Sequence, residues 1–245
     1  MSREDRPAFE PRLASRVESR MERWDPKLAN RTRAQLRALA EGGVETAEDA
    51  VELLRDDRTK DEWTYASLLL GLHGDRRLAP RIGRALREAR STSLQSSCVS
   101  ALGMIRGAAA RRALLEVLQN SDNSKVRLAV VSNLQGFFDD PKVVPALSMC
   151  LSSEIESESV RAQAARSLGT VGVAKAEDPL IKALEDESPL VRYSAAEALA
   201  TVGGTDALVA LQRMAARDRD VVSQDGLLRD AASFAMSNIR RRTRT

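Results

Sequence analysis

The chain has 245 residues with 38 basic and 35 acidic side chains, a net charge of +3. A surface this ionic yet this balanced lacks the one-sided basic field of a dedicated nucleic-acid binder, so a general polyanion partner is not implied. Aromatics are 3% of residues, too few to fill a conventional core of this size, so burial must come from Ala, Leu and Val in thin layers of packed helices.

In chain order, Met1 to Arg6 lacks the apolar segment of a secretory signal. Phe9, Leu13, Val17, Met21 and Trp24 then form one apolar stripe on a charged helix, and a second helical stretch runs from Arg31 to Leu39. Residues 1–45 therefore read as an N-terminal cap that closes the first repeat, with a helix docking in a partner's groove as the alternative.

From residue 46 the sequence repeats. Val160 to Gly172, VRAQAARSLGTVG, matches Val191 to Gly203, VRYSAAEALATVG, and weaker copies begin near Glu62 and at Leu94, Val126 and Leu228. The marker positions Leu70, Leu102, Leu134, Leu168, Leu199 and Met236 are spaced by 32, 32, 34, 31 and 37 residues, the range of helical solenoid repeats. Within one copy, Val160, Ala164, Ala165, Leu168 and Val171 fall on one helical face. That is the second helix of a pair. The first helix precedes it, marked by Leu114, Leu115 and Leu118, by Val144, Leu147 and Leu151, and by Leu180, Ile181 and Leu184. Turn residues 120–124 and 186–189 separate the two helices, and Asp140-Pro141 and Asp178-Pro179 start first helices, where Asp can cap and Pro fits the first turn. The solenoid is expected over 46–238, followed by a basic tail, 239–245, whose arginines read as a solvated terminus and alternatively as a contact for nucleic acid or acidic lipid.

These residues resemble the HEAT repeat, particularly the phycobiliprotein-lyase-like variety, with its Pro-bearing first helix, Asp-rich turn and V-R-x-x-A-A-x-x-L-G-x-x-G second helix. The resemblance covers about 46–245 and implies an armadillo-type fold: an all-α, right-handed α-α superhelix of about six helix pairs. It implies a non-catalytic scaffold or adaptor that holds another protein, as a helix or extended segment, on its concave face. A bilin-attachment enzyme or chaperone is the alternative, and a nucleic-acid-binding HEAT array a second. Both fit less well, because the groove positions offer few aromatics and no His or Arg cluster.

The recurring arginines Arg127, Arg161, Arg192 and Arg229 form a ladder that the resemblance reads as structural, pairing with turn aspartates such as Asp122 and Asp186 and with carbonyls. Removing the buried stripe leaves Ala162, Gln163 and Arg166 facing outward, with Ser96, Ser97 and Ser100; Leu128, Ala129 and Ser132; Tyr193, Ser194 and Glu197; and Asp230, Ala231, Ser233 and Phe234 at equivalent places. Leu128, Arg166, Tyr193 and Glu197 are the candidate partner-binding residues. Trp63 and Tyr65 are read as core, with a recognition patch as the alternative.

No catalytic constellation, nucleotide loop, cofactor or metal site is read. The single histidine, His73, lies at an inter-repeat turn. Cys98 and Cys150 sit in separate repeats outside any CxxC or Cys/His cluster, which fits a reducing compartment. The longest charge-free stretch, Ser91 to Ile105, is too short to span a bilayer. A cytoplasmic location is the expectation. Arg outnumbers Lys by 32 to 6, which is consistent with ion-pair networks and, as the favoured cause, with nucleotide bias in the coding sequence.

Overall fold

The computed structural model describes residues 47–217, 221–223 and 226–243. The apolar stripe Phe9 to Trp24 and the stretch Arg31 to Leu39 lie outside the described residues, as does the side chain of Tyr65. The described residues form twelve α-helices that alternate as first and second members of six pairs. The pairs are α1 (Ala47–Glu52) with α2 (Lys60–His73), α3 (Ala79–Glu88) with α4 (Thr92–Ile105), and α5 (Gly107–Asn120) with α6 (Ser124–Leu134). They continue as α7 (Val143–Leu151) with α8 (Glu158–Val171), α9 (Glu177–Ala183) with α10 (Pro189–Val202), and α11 (Thr205–Arg217) with α12 (Leu228–Thr243).

The chain divides into two compact units between Ala129 and Val130, inside α6. In the first, α2 packs beside α4, and α3 beside α5. In the second, α8, α10 and α12 lie side by side, each also packed against the first helix of its own pair. This is solenoid stacking within each unit.

The helices start and stop for local reasons. Thr59 caps α2 in a reciprocal box with Glu62, and Gly74 ends that helix at φ 69°, a left-handed turn that costs glycine nothing. Ser157 caps α8 through its side chain, and Gly172 closes it at φ 71°. Pro189 sits in the first turn of α10. Asp178 and Pro179 fall inside the first turn of α9, whose N-cap is Ala176, so Asp178 supplies charge at the positive helix end rather than a cap. Asp140 lies ahead of α7 and accepts from the Lys142 amide at 3.0 Å.

The marker leucines Leu70, Leu102, Leu134, Leu168 and Leu199 are all fully buried, each contributing about 1.5–3 kcal/mol by leaving water. In the last pair the marker shifts by one. Ala235 and Ile239 are buried and Met236 is half-buried, because α12 has a neighbouring second helix on one side only, α10. Small residues set the close approaches: a Cβ on Gly169 would lie 2.7 Å from Ala198 Cβ and 2.8 Å from its Cα.

Two features depart from expectation. The long 37-residue spacing before the last marker is taken up by a short antiparallel ribbon, Val221–Ser223 with Gly226–Leu227, where no strand is expected. Adjacent β-branched Val221 and Val222 favour it. Residues 239–243 of the expected basic tail are helical, since α12 runs to Thr243 and Arg240, Arg241 and Arg242 lie in its last turn. Arg242 donates to the Ala200 and Gly203 carbonyls at 2.6 Å each.

Candidate binding face

The recurring arginine is carried by four second helices, α6, α8, α10 and α12. Arg161, with a side chain 6% exposed, grips Asp186 of the next pair with two bonds, Nε to Oδ2 at 2.9 Å and Nη2 to Oδ1 at 3.0 Å. Its Nη1 donates to the Glu156 carbonyl at 2.8 Å, and Nη2 reaches exposed Glu187 at 3.2 Å. Asp186 above all holds the guanidinium's pKa above its ordinary value. Arg192 is buried and donates through Nη1 to the carbonyls of Asp186 and Glu187, both at 2.9 Å. Arg127 donates to the carbonyls of Leu118 and Ser121. Arg229, on the terminal helix, is exposed.

In the first unit, neighbouring pairs are bridged by different chemistry. Asp56 accepts the backbone amides of Arg90 at 2.9 Å and Ser91 at 3.0 Å, which holds its carboxyl below the ordinary carboxylate value. Asn123 donates to Thr92 Oγ1 at 2.8 Å. The sequence reading took both as turn residues and assigned neither as a bridge between pairs, because neither occupies the arginine's repeat position.

Of the positions expected to face outward on α8 and α10, four are uncovered or partly so. Arg166 and Glu197 are exposed, Gln163 and Tyr193 half-buried. Arg166 does not float free: Nε donates to Gln163 Oε1 at 3.2 Å and Nη1 to Ser194 Oγ at 2.8 Å, laying the guanidinium across from α8 to α10. Ala162 and Ser194 are fully buried, correcting their assignment to the outer face. A second helix inside a stack has neighbours on both flanks, so residues beside the outer lane are covered by the next pair. On the terminal helix Ala231 is buried as well, whereas Asp230, Ser233 and Phe234 are exposed.

In the first unit, Leu128 and Ala129 are half-buried rather than exposed, and Ser132, just beyond the unit boundary, is likewise half-buried. Ser96, Ser97 and Ser100 line a cleft of about 380 Å³ whose described walls come from second helices, and which Lys60 and Lys125 also border. The lysines were missed because they lie at the helix starts, ahead of the repeat positions used to read the groove.

Trp63 is buried and donates from Nε1 to the Arg55 carbonyl at 2.7 Å, so it belongs to the core. His73 is an exposed residue at the last turn of α2. Cys98 and Cys150 are buried free thiols, and burial pushes the Cys98 thiol up to about 12. Among the described residues no group of three or more His, Cys, Asp or Glu is placed to hold a metal ion, and no helix is long and apolar enough to cross a membrane.

A family model for HEAT repeats matches residues 80–158 and again 151–228. No curated protein matches the chain. Among solved structures, an engineered protein is 21% identical at a TM-score of 0.48, covering 80% of this chain and 96% of its own. A second engineered protein is 20% identical at 0.45, covering 79% and 57%. Human deoxyhypusine hydroxylase in complex with glycerol is 18% identical at 0.39, covering 64% and 73%. The three are distant likenesses.

Proposed function

Because the chain belongs to the HEAT-repeat family, we propose that it is a non-catalytic scaffold or adaptor that binds another protein along its second-helix face. In stacked repeats of this kind that face lines the extended groove on which partners lie. The observation that carries the reading is Arg166, an exposed cation held in one orientation by Gln163 and Ser194, on the same pair of second helices as half-buried Tyr193 and exposed Glu197. Guanidinium groups fixed in advance and amphipathic tyrosines lose little freedom on binding, which is why Arg and Tyr recur as interface anchors. The partner is expected to be a helix or extended segment, and a cytoplasmic setting fits the reading.

The test is affinity capture with the native chain and with the variants Tyr193→Ala and Arg166→Ala, each checked for an unchanged melting temperature. A protein retained by the native chain and lost by about tenfold or more with either variant supports the proposal. Capture that is indifferent to both, or that recovers only nucleic acid, contradicts it.

A further inference from the structure

We propose that the cleft on the second-helix face of the first unit docks an acidic segment of a partner protein, an inference that rests on the reading of that face as a binding surface. The cleft holds about 380 Å³ and is bordered by α2, α4 and α6. Lys60 is the first residue of α2 and Lys125 the second of α6, and neither ammonium makes an ion pair with a described side chain. No described carboxylate lines the cleft. That sets it apart in a chain with 35 acids. A cleft of about 400 Å³ beside α1 and α3 mixes Arg55, Arg81 and Arg84 with Glu52, Asp56 and Glu88. Another, of about 480 Å³ beside α7 and α9, sets Arg161 and Lys182 against Glu154, Glu185, Asp186 and Glu187. Among the described residues, only the first of these three surfaces carries positive charge without a carboxylate beside it.

The hydroxyls add donors of the right kind. Thr64, Ser67, Ser96 and Ser100 already give their protons to helix carbonyls at 2.8–3.0 Å. Ser93 and Ser97 make no hydrogen bond with the described residues and remain free to donate. The positive ends of α2, α4 and α6 border the same cleft and reinforce the attraction of an anion. The class of anion follows from what is missing. The described lining has two lysines and no arginine, so it meets an anion with ammonium point charges rather than with the bidentate fork that fixes a phosphate most specifically. Single-stranded nucleic acid needs aromatic stacking platforms, and no described aromatic side chain lines the cleft. Carboxylates, met by ammonium point charges and serine hydroxyls, are the remaining match.

The experiment is fluorescence anisotropy of a fluorescein-labelled octaglutamate peptide with the full chain at about 50 mM salt, where surface charges are weakly screened. Octaglutamine, a phosphoserine peptide of matched charge and a single-stranded DNA oligonucleotide serve as competitors in class. Octaglutamate should bind saturably and octaglutamine should not. Lys60→Gln/Lys125→Gln should weaken octaglutamate about tenfold, the effect of two exposed ion pairs, and Ser93→Ala/Ser97→Ala should weaken it severalfold. Lys142→Gln/Lys175→Gln, the same change in net charge elsewhere, should leave it unaltered. Absence of saturable binding, equal loss in both lysine pairs, or tighter binding of phosphopeptide or DNA at this cleft each overturns the proposal. If octaglutamate fails while Tyr193→Ala still releases a captured protein, this inference alone falls. If both fail, the reading of the face falls with it.

Discussion

Replacing Arg161 by Ala removes the contact that ties the fourth helix pair to the fifth at their turn edge. The side chain is 6% exposed and holds Asp186, itself 12% exposed, through two parallel bonds. Truncating one partner of a buried ion pair typically costs about 3–5 kcal/mol, because the other charge stays behind without compensation. Here Asp186 keeps the Ser188 amide at 2.8 Å, which softens the penalty. The bond to the Glu156 carbonyl is lost as well, while Glu187, 87% exposed, contributes little. The expected loss is about 2–4 kcal/mol. For a chain of this length that lowers Tm by roughly 4–16 °C, at about 2–4 °C per kcal/mol. Urea and thermal unfolding followed by circular dichroism measure it, and Arg161→Lys should restore less than half, since an ammonium cannot make the bidentate contact. A loss below about 0.5 kcal/mol, the scale of an ordinary surface substitution, would refute the reasoning.

Gly169→Ala should destabilise by about 1–3 kcal/mol, since the new methyl meets the Ala198 backbone at 2.8 Å and α8 and α10 must move apart. By contrast, Arg106→Gly should stabilise by about 1 kcal/mol, because Arg106 holds φ 61° and ψ −168°, a conformation that only glycine adopts without strain; equilibrium unfolding tests both. The Asp56 carboxyl is held below its ordinary value by the Arg90 and Ser91 amides, so its contribution is present above about pH 4 and is lost as pH falls through the lowered value. Asp56→Asn should therefore flatten the acid side of a stability-versus-pH curve, and an unchanged slope below pH 4 would count against the bridge. Cys98, buried and raised to about 12, should react with a thiol reagent at pH 8 only as fast as the chain opens; rapid labelling of the native protein would contradict its burial.

The helical period, the six copies and the identity of the stripe were legible in the sequence because each second helix repeats the same apolar spacing. Val160, Ala164, Ala165, Leu168 and Val171 are all buried. The outer lane was legible only in part. Arg166 and Glu197 are exposed, but Ala162 and Ser194 are not, because one helix read alone does not reveal how wide a flank its neighbours cover. Ser194 is also the partner of Arg166, a contact between residues 28 positions apart that no local pattern encodes. The ribbon at 221–227 was missed because its strands are three and two residues long, below the length at which alternation is visible. The lysine-bordered cleft was missed because it arises only when the starts of α2, α4 and α6 converge.

The central claim is that the second-helix face holds a protein partner. Its most direct measurement places a photo-crosslinking amino acid at Glu197, on the second-helix face, and separately at Met149, exposed on first helix α7, in extracts of the cells that make the chain. The account predicts a discrete protein adduct from position 197, reduced by Tyr193→Ala, and none from position 149. Adducts from 149 alone, or none from 197 under conditions where the partner is retained, would contradict it.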